Sequence, residues 1–121
     1  MKILIVDDSK AMRMIVRRAL RMAMAGCEHA VIEASNGLEA LKLLESNPVD
    51  LILTDWHMPE MNGPQLLQKL QELGKKVRLG FVTSDCSTEA HQAAQEAGAL
   101  FVITKPFTPE NFQRVLGPIL N

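Results

Sequence analysis

Polar residues suited to phosphoryl and metal chemistry stand directly after three short apolar runs of the chain. Asp7 and Asp8 follow "ILIV", Asp55 follows "LILT", and Lys105 follows "FVIT". Ligation by carboxylates alone suits a hard cation such as Mg²⁺, which keeps several of its waters. A divalent cation and one lysine can offset the charge of a transferred phosphoryl group while an aspartate attacks it in line. The pattern therefore predicts a phosphoryl-accepting site with Asp55 as the nucleophile.

Two hydroxyl residues follow a fourth apolar run, "LGFV". Thr83 is expected to donate a hydrogen bond to a phosphoryl oxygen, and Ser84 is expected to leave room for the group because it is small. His57 and Asp85 lie two residues beyond Asp55 and Thr83. For His57, an influence on the lifetime of an acyl phosphate competes with a plain solvent-facing position. For Asp85, orientation of a water competes with capping of the next helix.

The elements that must position these residues alternate between two kinds of pattern. Short runs rich in Val, Ile and Leu, and apolar on both faces, are typical of strands covered by helices on each side. The runs are Ile3–Val6, Ala30–Ala34, Val49–Thr54, Val77–Thr83 and Ala99–Thr104. Helical periodicity between them predicts an α/β fold with a doubly wound, five-stranded parallel sheet. The carboxyl ends of such strands gather at one edge, where the polar residues would meet.

The helical segments carry apolar stripes with a spacing of 3.6 residues. The stripes are Met12, Val16, Ala19, Leu20 and Ala23; Leu66, Leu67, Leu70 and Leu73; Ala90, Ala93, Ala94 and Ala97; and Phe112, Val115, Leu116 and Ile119.

Several residues mark helix ends. Ser9 is predicted to be an N-cap, and Asn36 with Glu39 a capping box. Thr108-Pro109 predicts the start of the last helix, which Gly117-Pro118 is expected to kink or end. The helix C-caps are predicted at Gly74 and Gly98.

The bulk composition excludes several classes of protein. A chain of 121 residues with 47% apolar and 22% charged residues suits one compact domain. A formal net charge of −1 gives no electrostatic attraction to nucleic acid or to an anionic membrane. No apolar run approaches the roughly 20 residues that span a bilayer. Cys27 and Cys86 have no metal-ligand or CxxC spacing, which predicts free thiols in a reducing cytoplasm.

Four motifs resemble those of the receiver domain of two-component response regulators. "VDDS", "LTDWHMPEMNG", "VTS" and "ITKPF" occur in the family's order and at suitable spacing. The resemblance covers nearly the whole chain and is nearest to single-domain, CheY-like chemotaxis regulators. It implies a flavodoxin-like (βα)5 fold with strand order 2-1-3-4-5. We therefore expect one cytoplasmic receiver domain over residues 1–121, monomeric and without an output domain.

The resemblance also implies roles for individual residues. The groups implied to hold Mg²⁺, or Mn²⁺ in its place, are Asp8, Asp55, the backbone carbonyl of His57 and, through a water, Asp7. A histidine kinase or a histidine phosphotransfer protein would phosphorylate Asp55. Lys105 would pair with the phosphoryl group, and Thr83 would move to meet it. In the family, the peptide bond before the proline of this motif is often cis, so the resemblance implies a cis Lys105–Pro106 bond.

Val102 departs from the family's pattern. Tyr or Phe usually stands three residues before the lysine, and its ring swings inward when the hydroxyl moves. Phe101 cannot simply substitute, because adjacent strand residues point to opposite faces. The departure puts in doubt how phosphorylation reshapes the fourth helix, fifth strand and fifth helix, the face where a downstream protein target would bind.

Three classes of function stay open on the sequence. The first is a stand-alone phospho-switch, either a chemotaxis regulator or a phosphorelay shuttle, and Val102 favours the shuttle. The second is a receiver-like scaffold that works without phosphorylation. The third is an aspartyl-phosphate phosphatase or phosphotransferase, which would usually carry a second Asp where this chain has His57.

Overall fold

Five strands and five helices alternate along the chain in the computed structural model, which describes residues 1–85 and 87–120, with only the backbone at residue 120. The strands are β1 (Lys2–Val6), β2 (Ala30–Ala34), β3 (Leu51–Thr54), β4 (Arg78–Thr83) and β5 (Val102–Thr104). The helices are α1 (Lys10–Ala23), α2 (Gly37–Leu44), α3 (Gly63–Glu72), α4 (Thr88–Ala97) and α5 (Pro109–Leu120). Cys27 is an exposed free thiol, whereas the predicted thiol of Cys86 lies outside the described residues.

The sheet is parallel throughout, with the strand order β2-β1-β3-β4-β5. The chain runs from β1 outward to β2 and then returns to the other side of β1 with β3, so the order reverses between β1 and β3. Val6 pairs with Thr54, and Thr83 pairs with Thr104, which places the carboxyl ends of four strands along one edge. The predicted fold class and strand order are confirmed. β3 and β5 begin two and three residues later than the apolar runs suggested.

Apolar layers cover both faces of the sheet. Along β1, Ile3 and Ile5 pack against α1 and α5, whereas Leu4 and Val6 pack against α2, α3 and α4. Alternate residues of a strand point to opposite faces, so a strand that is covered on both sides must be apolar throughout. Burial of each such side chain contributes roughly 1.5–3 kcal/mol, and β1 lies at the centre of the sheet from which Asp7 and Asp8 extend.

The apolar stripes of the helices face the sheet with two corrections. Leu73 is 53% exposed because it is the C-cap residue of α3, where the chain turns away through Gly74 at φ 70°. Ala93 is exposed, so α4 meets the sheet through Ala90 and Ala94. Gly98 is the left-handed C-cap of α4, as predicted.

The capping box lies on a different helix from the one predicted. The side chain of Asn36 caps α2 by accepting the Glu39 N–H at 2.8 Å, but the Glu39 carboxylate accepts the Ser35 hydroxyl instead of returning to the cap. The reciprocal pair belongs to α3. There Asn62 accepts the Gln65 N–H, and the Gln65 side chain accepts the Asn62 N–H, each at 2.9 Å.

The last helix does not end at Gly117-Pro118. Thr108 accepts the Asn111 N–H at 3.0 Å at its start, as predicted, and α5 continues through residue 120. A proline this close to a helix end removes a single intrahelical hydrogen bond. The burial of Phe112 and Leu116 in the core holds the helix in place despite that loss.

Candidate functional site

Three carboxylates meet at the sheet edge where the strand order reverses. Asp7 and Asp8 follow β1, Asp55 follows β3, and one oxygen from each lies within 4.8 Å of the others. Asp7 is only 3% exposed, Asp55 is partly buried and Asp8 is exposed. Carboxylates this close repel one another unless a cation joins them, and an oxygen-only donor set suits Mg²⁺ or Mn²⁺. The geometry of the three acids therefore fits the predicted cation.

Lys105 reaches this cluster from the end of β5. Its Nζ lies 3.0 Å from Asp7 Oδ2 and 3.5 Å from Asp55 Oδ2, and its side chain is 13% exposed. Its backbone N–H donates to the Thr83 carbonyl at 2.8 Å, which ties the residue to β4. The Lys105–Pro106 bond is cis, as the resemblance implied. The ammonium group is thus placed between the two less exposed carboxylates.

Asp7 is held on several sides. Its N–H donates to the Ala34 carbonyl at 3.1 Å, which extends the pairing of β1 with β2 by one residue. Its Oδ1 accepts the Ser9 N–H at 2.9 Å, and the Ser9 hydroxyl in turn accepts the Met12 N–H at 3.2 Å as the N-cap of α1. The predicted cap therefore also fixes the turn that carries Asp7 and Asp8.

Asp55 is anchored to the sheet by its backbone. Its N–H donates to the Val6 carbonyl at 2.8 Å, and its Oδ1 accepts the Trp56 N–H at 2.7 Å. Burial raises the pKa of the Asp55 carboxyl above its ordinary value, and Asp7 raises the pKa further, while the positive charge of Lys105 opposes both. Loss of Lys105 would therefore favour the protonated, non-nucleophilic form.

The loop after Asp55 closes against a glycine. The Gly63 N–H donates to the Trp56 carbonyl at 2.9 Å, where α3 begins. A methyl group at Gly63 would meet the Asp55 carbonyl oxygen and lie 2.6 Å from the Phe81 ring. The close approach of these backbones requires glycine at this position and fixes the direction in which Asp55 leaves β3.

The hydroxyl of Thr83 lies at the end of β4 and is buried. Thr83 is 1% exposed, and its Oγ1 accepts the Asp85 N–H at 3.2 Å. Acceptance leaves the hydroxyl hydrogen free to donate elsewhere. Ser84, the next residue, is exposed.

The two candidate modulators take different positions. The His57 side chain is exposed. Asp85 Oδ1 accepts the Ser87 N–H at 3.0 Å, and this bond lowers the pKa of Asp85. Ser87, not Asp85, is the N-cap of α4. A role in water orientation for Asp85, and the roles of the His57 ring and carbonyl, stay predictions.

Val102 and Phe101 face opposite sides of the sheet, as predicted. Val102 pairs with Phe81 of β4 and packs on the α2–α3–α4 side, where the Phe81 ring lies 4.7 Å from Trp56 between centroids. Phe101 packs on the α1–α5 side, and its ring covers Gly80 so closely that no side chain would fit there. A cavity of about 310 Å³ opens beside Val102 between α4 and β5.

Two residues near the site escaped the sequence reasoning. Arg13 of α1 donates through Nη1 to the carbonyl oxygen of Asp7 at 2.6 Å, and its Nε pairs with Glu33 of β2 at 2.9 Å. The available signal was Glu33 itself, the single charged residue in the otherwise apolar run "AVIEA". An acid inside such a run usually has a cationic partner nearby.

The fold and the site together define a receiver-type α/β signalling domain, and comparisons with known proteins agree. The model of the response regulator receiver domain matches residues 3–116. Chemotaxis protein CheY1 of Helicobacter pylori is 37% identical over 99% of this chain and 97% of its own length. The CheY homolog of Campylobacter jejuni is 38% identical over 99% of this chain and 92% of its own.

Solved structures agree with the sequence relatives. The crystallised chemotaxis protein CheY4 of Vibrio cholerae matches with a TM-score of 0.84 and 30% identity, covering 98% of this chain and 97% of that one. The chain belongs to the response regulator receiver family. It is a CheY-like receiver domain of two-component signalling, a family in which phosphorylation on an aspartate is typical. Within the described part of the chain, no helix is long and apolar enough to cross a membrane.

Proposed function

We propose that Asp55 is the phosphoacceptor of a single-domain response regulator. The observation that carries this proposal is the position of Lys105 Nζ, 3.0 Å from Asp7 and 3.5 Å from Asp55, beside a third carboxylate. Asp8, Asp55 and the His57 carbonyl would hold Mg²⁺ or Mn²⁺, with Asp7 acting through a water. The bound cation would offset negative charge on the phosphoryl oxygens.

The chain's own residues account for the transfer. A carboxylate oxygen of Asp55 attacks the phosphorus of a phosphohistidine donor in line; the O–P bond forms, the P–N bond breaks, and the imidazole leaves with the electron pair. Lys105 keeps Asp55 ionised before the reaction and pairs with a phosphoryl oxygen after it. The Thr83 hydroxyl, which accepts the Asp85 N–H and so keeps its own hydrogen for donation, donates to another phosphoryl oxygen, and the small Ser84 leaves the entrance open.

The donor would be a histidine kinase or a histidine phosphotransfer protein, and the output would be a protein contact. We place that contact on the face formed by α4, β5 and α5, because the cavity beside Val102 opens there. That this receiver acts on its own is supported by chemotaxis protein CheY1 of Helicobacter pylori, of whose length the chain covers 97%; a monomeric state is part of the same proposal. Because Val102 lacks an aromatic ring, a phosphorelay shuttle is the second candidate for the role.

The test is incubation with acetyl phosphate and Mg²⁺, followed by intact-protein mass spectrometry. We expect one added phosphoryl group in the unaltered protein and none in Asp55→Asn. Chelation of the divalent cation should also abolish the addition. Turnover of many equivalents of a phosphate ester would point to a phosphatase, and absence of any labelling would point to a phosphorylation-independent scaffold.

The two candidate roles can be separated with beryllofluoride, which mimics the phosphoryl group. A chemotaxis-type regulator should retain a target protein from a cell extract more strongly when beryllofluoride is bound. A shuttle should instead return its phosphoryl group to a histidine phosphotransfer protein. Light scattering in both states tests whether the domain stays monomeric.

A further inference from the structure

The guanidinium group of Arg13 spans two elements beside the acidic cluster. Its Nη1 donates to the carbonyl oxygen of Asp7 at 2.6 Å, while its Nε pairs with Glu33 Oε1 at 2.9 Å. The Arg13 side chain is 16% exposed and that of Glu33 is 30% exposed, so the contact is partly shielded from water. The group therefore connects β2 to the turn between β1 and α1.

The Asp7 carbonyl belongs to the peptide unit that joins Asp7 to Asp8. A contact that fixes this carbonyl fixes the plane of the peptide, and with it the position of the Asp8 Cα from which the exposed side chain departs. Before that peptide, the Asp7 N–H donates to the Ala34 carbonyl. After it, the Ser9 N–H donates to the Asp7 carboxylate. Arg13 holds the peptide in between.

Arg17 provides a natural comparison on the same helix. Its Nη2 pairs with Glu33 Oε2 at 3.2 Å and donates to the Val31 carbonyl at 3.2 Å, so it shares the acidic partner of Arg13. Its backbone contact is within β2, however, and not with the turn that carries the acids. The two arginines thus share Glu33 but differ in that only Arg13 contacts Asp7 and in their exposure, 16% for Arg13 and 41% for Arg17.

We propose that Arg13, held by Glu33, is a positioning residue for the cation site, fixing the Asp7–Asp8 peptide so that Asp8 faces the same cation as Asp55. The inference rests on the proposed function, because it assumes that the three acids bind Mg²⁺. Partners that orient metal ligands typically alter metal affinity by about 10–100-fold when they are removed. A lysine cannot replace Arg13, because one ammonium group cannot make both planar contacts of the guanidinium fork.

If Arg13 acts only through its charge, its removal should raise the affinity for Mg²⁺; if it positions Asp8, its removal should lower that affinity. A guanidinium repels a nearby cation, so its charge alone weakens Mg²⁺ binding, and removal of that charge would tighten it. Positioning predicts that loss of Arg13 weakens binding. Weaker binding therefore cannot be a by-product of the lost charge.

The experiment is a Mg²⁺ titration of the full chain, monitored by the fluorescence of Trp56. The backbone N–H of this residue donates to Asp55 Oδ1. We expect Arg13→Lys to raise the dissociation constant about tenfold. Arg17→Lys, the matched control, should change it less than about twofold. Glu33→Gln should weaken binding in the natural background and add little in the Arg13→Lys background, because the two residues act as one unit.

The outcomes separate this inference from the proposed function. Failure of the unaltered protein to bind Mg²⁺ would overturn both. Equal affinities of Arg13→Lys and the unaltered protein, an equal loss in Arg17→Lys, or additive effects of Arg13→Lys and Glu33→Gln would overturn this inference alone. If Arg13→Lys does not fold, Arg13→Gln replaces it with Arg17→Gln as its control. Tighter binding in Arg13→Gln would then contradict positioning.

Discussion

At the scale of single residues, the site holds carboxylates whose surroundings act on them in opposite ways. Asp55 is partly withdrawn from water and stands beside Asp7, so its pKa is raised even though Lys105 opposes the shift. Asp85 lies on the rim and accepts the Ser87 N–H, so its pKa is lowered. The difference follows from burial in one case and from a backbone donor in the other.

These opposite shifts predict opposite effects of charge removal on stability, in buffer free of divalent cations. An aspartate with a raised folded pKa stabilises the fold when protonated, and that stability is lost as the pH rises through the folded pKa. Asp55→Asn should therefore raise the melting temperature at neutral pH, with a gain that shrinks as the pH falls towards the ordinary pKa of an aspartate. Asp85→Asn should lower it at neutral pH, with a loss that disappears in acid. Equal signs for both variants in thermal denaturation would contradict the two pKa directions.

Lys105 gives a second prediction at this scale. In the absence of divalent cations, Lys105→Ala should reduce the free energy of unfolding by about 1–3 kcal/mol, because the Asp7 carboxylate would stay buried without its charged partner. Mg²⁺ affinity should persist or increase, since a positive charge has left the site. Denaturant titrations with and without Mg²⁺ check both points, with the exposed Lys76→Ala as control. Loss of Mg²⁺ binding would contradict the role given to Lys105.

At the scale of elements, the loop from β3 to α3 determines where Asp55 points. Gly63, at the end of this loop, donates its N–H to the Trp56 carbonyl and lies against the ring of Phe81. An apolar strand, an acid and the apolar stripe of the next helix are visible in the sequence, but the reason for the glycine at position 63 is not. That reason is a tertiary approach between three segments, which local patterns do not encode.

Two glycine substitutions test the loop. Gly63→Ala should destabilise the fold by about 1–3 kcal/mol, because the new methyl group would collide with the Asp55 carbonyl and Phe81. It should also reduce the rate of phosphorylation by displacing Asp55. Gly117→Ala is the matched control, since among the described residues its methyl group would meet no atom within 4 Å apart from its chain neighbours and its own helix backbone, and it should stabilise α5 by about 0.5–1 kcal/mol. Similar unfolding free energies for the two variants would refute the close approach.

The sequence predicted the elements better than their connections. Strand identity, the caps at Ser9 and Gly98 and the edge where the acids meet follow from alternation and end signals, and the structure agrees. The extension of α5 past Pro118 and the exposure of Leu73 depend on how helix ends meet the sheet, which periodicity cannot report. Arg13 was missed because its two partners, Asp7 in the turn after β1 and Glu33 on β2, are brought to it only by the tertiary fold.

At the scale of the whole molecule, a chain of contacts links the acidic site at the sheet edge to the α4–β5–α5 face. Phe81 connects the two regions, since its ring packs against Trp56 beside the site and its backbone pairs with Val102 on β5. Phe81 is fully buried and its ring packs against the partly buried Trp56, whereas position 102 carries no ring that could swing between the site and this face. The beryllofluoride-induced change at this face should therefore be small in the natural protein.

Restoration of an aromatic residue should enlarge that change. Val102→Tyr is expected to increase the ratio of target affinities with and without beryllofluoride by about fivefold, the effect of a coupling near 1 kcal/mol. The cavity beside Val102 offers space for a ring to move. Val102→Ile, which adds bulk without a ring, is the control. The beryllofluoride-induced change in hydrogen exchange across residues 88–104 should likewise be larger in Val102→Tyr than in Val102→Ile. If the ratio of target affinities in Val102→Tyr equals that of the natural protein, this account is contradicted.

The ion pair of Lys105 with Asp7 joins residues separated by 98 positions, and this separation affects the order of events during synthesis. As the chain leaves the ribosome, Asp7 and Asp55 emerge long before the lysine that pairs with both of them. The nascent acidic cluster therefore lacks the Lys105 ammonium group until the fifth strand has been made and has docked. A phosphoryl donor cannot find a complete acceptor on a partly translated copy, so competence to signal arrives only with the finished sheet.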